Sequence, residues 1–301
     1  KNGNVVGGTD YYNIEVTKGS NANLTLEGVT ATAGNTGSSM IDNFGDLTIN
    51  SGTYTGGLDT IKNESNAKLT ITGGTFTLTK GTSKGFTGVV FNYGELNISG
   101  GEFIQSDKSA PYGQAQVIHT DKSGSSAPST IITGGTFKNL CTKSTAWMVR
   151  VTNAAAGSTK VSGGTFNKSI SDGYCADGFI PTKNADGTYG VKEGKFVAEV
   201  GSKKYETLAD AIRLATRGKT VKLLDDVTLD AAVKVPADKT VKLALNGKAL
   251  STSENAADNT KHYYAIDNYG TFTLQDSSTE QSGEIRARGI ENFGGGKMVI
   301  K

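Results

Sequence analysis

No apolar run in this sequence approaches the ~18 residues that a membrane-spanning helix needs, so membrane insertion is not expected of it. Charge of one sign is lacking as well. The 31 basic and 29 acidic residues are interspersed and leave a net charge of +2. Without a concentrated basic stripe, nucleic acid is excluded as an expected partner. Prolines number four against forty glycines, and the glycines keep no three-residue period, which excludes a collagen and leaves a chain rich in turns. Cysteine is nearly absent. Cys141 and Cys175 stand 34 positions apart with no CxxC and no Cys/His cluster, so no metal or other cofactor is expected. A disulfide between them and two free thiols both remain open. Histidine is as scarce, with only His119 and His262. No signal peptide opens the chain, and residue 1 already lies in patterned sequence, which reads as a piece cut from something longer. Hydrophobic content of 36% is nonetheless too high for a disordered chain.

What is present is repetition. One eight-residue phrase occurs five times, as LTINSGTY from Leu47, LTITGGTF from Leu69, LNISGGEF from Leu96, TIITGGTF from Thr130 and TKVSGGTF from Thr159. Its first and third positions are mostly apolar and the second polar, the period of a strand with one buried face. A glycine turn follows, and then an aromatic in a constant slot: Tyr54, Phe76, Phe103, Phe137, Phe166. A second phrase, apolar-variable-Asn, precedes it as Ile41–Asn43, Ile61–Asn63, Val90–Asn92 and Val151–Asn153, and returns as Ile266–Asn268 and Ile290–Asn292. Asparagines at a recurring bend would satisfy one another and the turn backbone. Gly52, Gly74, Gly101, Gly135 and Gly164 are 22, 27, 34 and 29 residues apart. A minimum near 22 fits one coil of three short strands, with the extra residues as loops. Propeller blades of ~40–50 residues are too long, and the helical or Leu-x-x-Leu return of a leucine-rich repeat is missing. The expected fold is all-β, a right-handed parallel β-helix in two coil stacks.

The pattern stops after Phe166. Residues 170–194 carry Asp-Gly turn signals at 172, 177 and 186 and read as a closing segment. One short α-helix is then expected near 207–217. Leu208, Ala211, Ile212 and Ala215 form its apolar face, Thr207 with Asp210 a capping box, and Gly218 its C′ residue. Such a helix would cover an exposed strand edge. The expected domains are therefore 1–194 and 195–301, the second a helix-capped restart. The run YETLADAIRLATRGKTVKLLDDVTL resembles the helix and first strand that open pectin-lyase-like β-helix domains. The repeats with the YCADGF…DGTYGV closure resemble those of large surface proteins of gram-positive gut bacteria. The resemblance implies an exported, extracellular, cell-wall-attached adhesin-like protein. It also implies a host or dietary partner, either a glycan or a host protein such as immunoglobulin. It carries over no catalytic residue.

Polysaccharide lyases and glycoside hydrolases share the pectin-lyase-like architecture, which makes a carbohydrate-active enzyme the alternative. The GHG and RIK segments of a polygalacturonase are missing, as is a GxSxG elbow. Asp225 and Asp226 would point to opposite faces of a strand, or mark a turn between coils, so they cannot jointly flank a glycosidic bond. No catalytic residue is expected. His119 occupies the variable position of Ile118-His-Thr120 and is expected on a solvated face, as is His262 in a polar insertion. The Asn-aromatic-Gly turns, as at Asn43, Asn92, Asn268 and Asn292, could stack on sugars or pack under loops, and packing is the simpler expectation. Insertions at 104–128 and 139–150 should project from adjacent coils. They carry Tyr112, His119, Trp147 and Arg150, the expected ligand-binding residues, of types that anchor interfaces.

Overall fold

The computed structural model describes residues 4–7, 12–17, 22–33, 37–80, 86–111, 115–144, 146–155, 157–216, 218–253 and 264–301. Strands dominate them, nearly all in parallel sheets, with one α-helix among the described residues. The chain divides into two compact units, Lys1–Glu193 and Gly194–Lys301.

In the first unit the chain visits three sheets in strict rotation. The apolar-variable-Asn phrase supplies one sheet, from Ile14–Val16 through Val149–Thr152, here called the asparagine sheet. The Leu-Thr-Ile phrase supplies the leucine sheet, from Asn23–Leu26 through Thr159–Val161. The aromatic phrase supplies the third, from Asn4–Gly7 through Thr165–Phe166. Within each sheet like lies on like. Leu47, Leu69 and Leu96 are consecutive partners and all buried, as their spacing predicts. Tyr54, Phe76, Phe103, Phe137 and Phe166 are wholly buried, with ring centroids 5.0, 5.0, 4.9 and 4.7 Å apart and planes within 13°. That spacing is the strand spacing of a sheet, so each ring lies flat on the next. One continuous core takes residues from all three sheets.

The paired glycines have separate causes. A Cβ on the first, at Gly73, Gly100, Gly134 or Gly163, would lie 2.1–2.4 Å from a carbonyl oxygen of the preceding round. The second, at Gly74, Gly101, Gly135 or Gly164, has φ near +100°, which a side chain resists.

The asparagines form the expected ladder. Asn43 Nδ2 donates to Asn63 Oδ1 at 2.7 Å and to the Lys68 carbonyl at 2.9 Å. Asn63 repeats this with Asn92 Oδ1 and the Glu95 carbonyl. The next position is Thr120, too short to continue, and here the leucine column changes too. Thr130 stands where Leu96 stood, accepts from Asn92 Nδ2 at 3.0 Å, and lies 2.6 Å from the Thr120 hydroxyl. Thr159 joins at 3.4 Å. The two irregular copies of the phrase are therefore a linked exchange of Asn and Leu for threonine. One expectation is corrected. The strand paired with Gln116–Asp121 places Val149, Arg150 and Val151 in the apolar-variable-Asn positions, so Asn153 lies outside the ladder. It takes a left-handed turn, φ 53°, and donates to Asp121.

The closing segment is an antiparallel hairpin, Phe179–Lys183 with Tyr189–Glu193, which joins the aromatic sheet beside Phe166. Cys175 bridges to Val161, and both cysteines are free thiols. Burial raises the Cys175 thiol to about 11.

The second unit rotates through three parallel sheets of its own around a separate core. Its helix, Leu208–Leu214, starts at Thr207, whose hydroxyl accepts from Asp210 N–H. Leu208, Ala211, Ile212 and Ala215 are buried, as the periodicity requires. The helix ends earlier than Gly218. Ala215 is already extended, with its carbonyl taken by Lys239 Nζ at 3.2 Å, and Gly218 serves the turn beyond. A hairpin the sequence reading missed, Ala198–Val200 with Lys203–Tyr205, pairs antiparallel with the edge of Thr220–Leu223. The edge is covered by strand pairing, with the helix packed against both hairpin strands and Val233–Val235.

Candidate functional site

The variable position of the asparagine sheet makes a column on its outer face: Glu15, Asp42, Lys62, Phe91, His119, Arg150. A second outward column runs two or three residues earlier. It includes Gly88, which pairs with Gln116. Between the columns, Val89 and Val90, like Val117 and Ile118, both turn into the core, so the strand bends. The bend leans the columns together: a Cβ on Gly88 would lie 3.5 Å from His119 Cβ.

His119 is not on a solvated face, as the sequence suggested, but wholly buried. Phe91, one strand below, meets its ring edge-on at 4.5 Å, and Phe86 does so at 5.6 Å. The Arg150 guanidinium, one strand above, sits 4.2 Å from the Phe86 ring centre and 4.5 Å from that of Trp147. His119 Nε2 lies 2.8 Å from Thr152 Oγ1, and Nδ1 has no partner. Burial lowers the imidazole to about 4, the Arg150 charge acting in the same direction against Asp121, so the ring is neutral at pH 7.

The lower end of the face is acidic. Asp59 is buried, accepting from Gly88 N–H at 2.9 Å and the Ser39 hydroxyl at 3.2 Å, and burial raises it to about 7. Burial likewise raises Asp42 to about 6, against the Tyr12 hydroxyl and the Lys62 charge. Burial works to lower Lys62, but the ion pair with Glu64 outweighs it and holds the ammonium above the usual lysine value.

Three of the four expected ligand residues thus meet: His119, Trp147 and Arg150. Tyr112 and the second histidine, His262, lie outside the described residues. Residues 104–128 are not one projecting insertion, because Gln116–Asp121 is a strand of the asparagine sheet. Phe86, Phe91 and Gln116 went unrecognised as neighbours. Of these, only Phe91 carried a signal, its place in the variable column.

Other candidates resolve differently. Tyr269 and Phe293 stack on each other at 4.4 Å and 5°, so the Asn-aromatic-Gly rings of the second unit use their faces across rounds. Asp225 pairs with Lys195 at 2.8 Å, which lowers its carboxyl, while Asp226 accepts from Ala249 N–H. They take separate partners at a turn. A concavity of about 570 Å³ in the second unit, beside Thr207 and Leu208, contains none of the four candidates. Among the described residues, no three His, Cys, Asp or Glu side chains cluster to hold a metal, and no helix is long and apolar enough to cross a membrane. No protein-family model, curated protein or solved structure matches the chain.

Proposed function

We propose that this chain is a non-catalytic, extracellular cell-surface segment of right-handed parallel β-helix. It acts as a stalk and adhesin-like binding module for a host or dietary macromolecule. The rotation through three parallel sheets around one core supports the β-helix, each round being one coil. One observation carries the binding half. Coil register gathers His119, Trp147 and Arg150 with Phe86 and Phe91 on a single outer face. Aromatics and arginine are the groups that dominate recognition surfaces, and here Phe86 is exposed and Trp147 and Arg150 partly so, while His119 and Phe91 are buried. The sequence resemblance supports the surface location and the choice between a glycan and a host protein such as immunoglobulin.

The test separates holding from turnover. The protein is incubated with immobilised mucin-type glycan, plant polysaccharide and immunoglobulin, and both retention and new sugar ends are measured. Retention on one of them without new reducing or unsaturated ends is the expected result. Steady accumulation of such ends would make it a lyase or hydrolase instead.

A further inference from the structure

We propose that the second unit carries a carbohydrate subsite, an open hollow over Ala244 that takes one neutral sugar unit through the side chains of Glu199, Lys222, Asn246 and Gln275. The inference rests on the glycan-binding reading above and gives it a place apart from the His119 face.

The hollow follows from strand register. Glu199, Lys222, Ala244 and Gln275 are successive partners in one sheet, across the strands Ala198–Val200, Thr220–Leu223, Thr240–Ala244 and Thr271–Gln275. Their strand neighbours Val221, Leu223, Leu243 and Leu274 lie in the core, so this column faces outward. Three of its side chains are long and the fourth is a methyl. The column is interrupted at Ala244, and a concavity of about 420 Å³ lies there, lined also by Thr220, Asn246 and Ser277. That size is within the ~300–1,000 Å³ of small-molecule sites.

The rim is held by bonds that leave polar ends for a ligand. Asn246 and Gly247 both take left-handed backbone, φ 55° and 75°, and Gly247 N–H donates to Asp276. Asp276 also accepts from Ser278 and Gly283 N–H, so one carboxylate ties together the two turns that border the hollow. Asn246 Nδ2 donates to the Leu223 carbonyl at 3.0 Å, and its Oδ1 is left as an acceptor. Gln275 is half-buried and brings an amide with both a donor and an acceptor.

The charges select the ligand. Lys222 Nζ lies 3.4 Å from Glu199 Oε1, with both side chains partly exposed. An anion entering the hollow would meet Glu199, and a cation would meet Lys222. Neighbouring hydroxyls of a neutral sugar can accept from the ammonium and donate to the carboxylate together. Walls this polar offer little to a lipid, while the Ala244 methyl gives the C–H side of a sugar ring a small apolar floor.

The experiment titrates the intact chain with methyl glycosides of glucose, galactose, mannose and N-acetylglucosamine, and with methyl glucuronide, by ligand-observed NMR. At least one neutral glycoside should bind saturably. Ala244→Leu should abolish that binding by filling the hollow. Gln275→Ala should weaken it about tenfold, as expected for a lost amide contact, with an unchanged melting temperature. Because Gln275 is half-exposed, the second variant reads out even if Ala244→Leu lowers the melting temperature. Affinity unchanged in Gln275→Ala, or retained in a folded Ala244→Leu, overturns the inference, and so does binding of the glucuronide alone. If no glycoside binds but the chain is retained on immobilised glycan or immunoglobulin, the hollow is not a sugar site and the binding reading stands. If nothing is retained either, both fall.

Discussion

A single ring in the aromatic column shows what one residue contributes. Phe103 has no exposed surface and lies between Phe76 and Phe137 at 5.0 and 4.9 Å. Its neighbours are fixed by strand pairing and cannot close the gap, so Phe103→Ala should cost ~3–5 kcal/mol in urea unfolding. A loss under about 1 kcal/mol would place the slot in water. Buried acids act in the opposite sense. Asp59 is raised to about 7 in the folded chain from an ordinary value of 3.8. The fold therefore binds that proton more tightly than the unfolded chain does. Its contribution is fully present below pH 3.8 and is lost as pH rises through 7. Asp59→Asn keeps an acceptor for Gly88 N–H and can donate to Ser39 without a charge. It should match wild type near pH 4 and exceed it in stability above pH 7. A less stable variant at pH 8 would contradict this. His119, lowered to about 4 from 6.5, opposes the trend by losing stability as pH falls from 6.5 toward 4.

At the scale of elements, the threonine exchange shows why near-repeats were only partly legible. The sequence shows Thr130 and Thr159 as weaker copies of leucine. Only the register reveals that Thr130 answers the change from asparagine to Thr120 on the neighbouring sheet. Thr130→Leu alone should leave the Asn92 amide with the Ser129 carbonyl as its one acceptor and the Thr120 hydroxyl with only Thr159 at 3.4 Å, costing about 1–2 kcal/mol. Adding Thr120→Asn restores the pairing seen at Asn63 and Leu69, so the double variant should recover much of the loss. A coupling of about 0.5–3 kcal/mol is expected in the cycle, and simple additivity would sink the linkage. The helix gives a second element-level test. Ile212→Asp puts an unpaired charge among Leu208, Ala211 and Val221 in the second core. Limited proteolysis with mass analysis should show residues 194–301 cut faster and 1–193 unchanged. Equal resistance of 194–301 in variant and wild type would contradict the packing of that face.

For the whole molecule, the repeat was readable because each phrase is short and returns in every round. Leu-Thr-Ile, Gly-Gly and the aromatic slot all fall within one eight-residue phrase, although the first glycine and the aromatic answer to the neighbouring round. The hairpins at 179–193 and 198–205 were not, since short antiparallel strands at a sheet edge carry no such period. The site was half legible. His119, Trp147 and Arg150 were chosen by residue type, but their meeting depends on a register two residues away from the one Asn153 suggested. Phe86 and Gln116 lie beside them only through the bend of the strand. Register is therefore the central claim, and crosslinking tests it most directly. Thr48 and Thr70 are partners on the leucine sheet, as are Thr70 and Asn97, whereas Thr48 and Asn97 are two strands apart. Partners ~4.8 Å apart can be bridged by cysteines, and positions roughly twice as far cannot. Oxidation followed by peptide mapping should find the bridge in Thr48→Cys/Thr70→Cys and none in Thr48→Cys/Asn97→Cys. A bridge in the second pair and not the first would contradict the sheet register, and with it the candidate site.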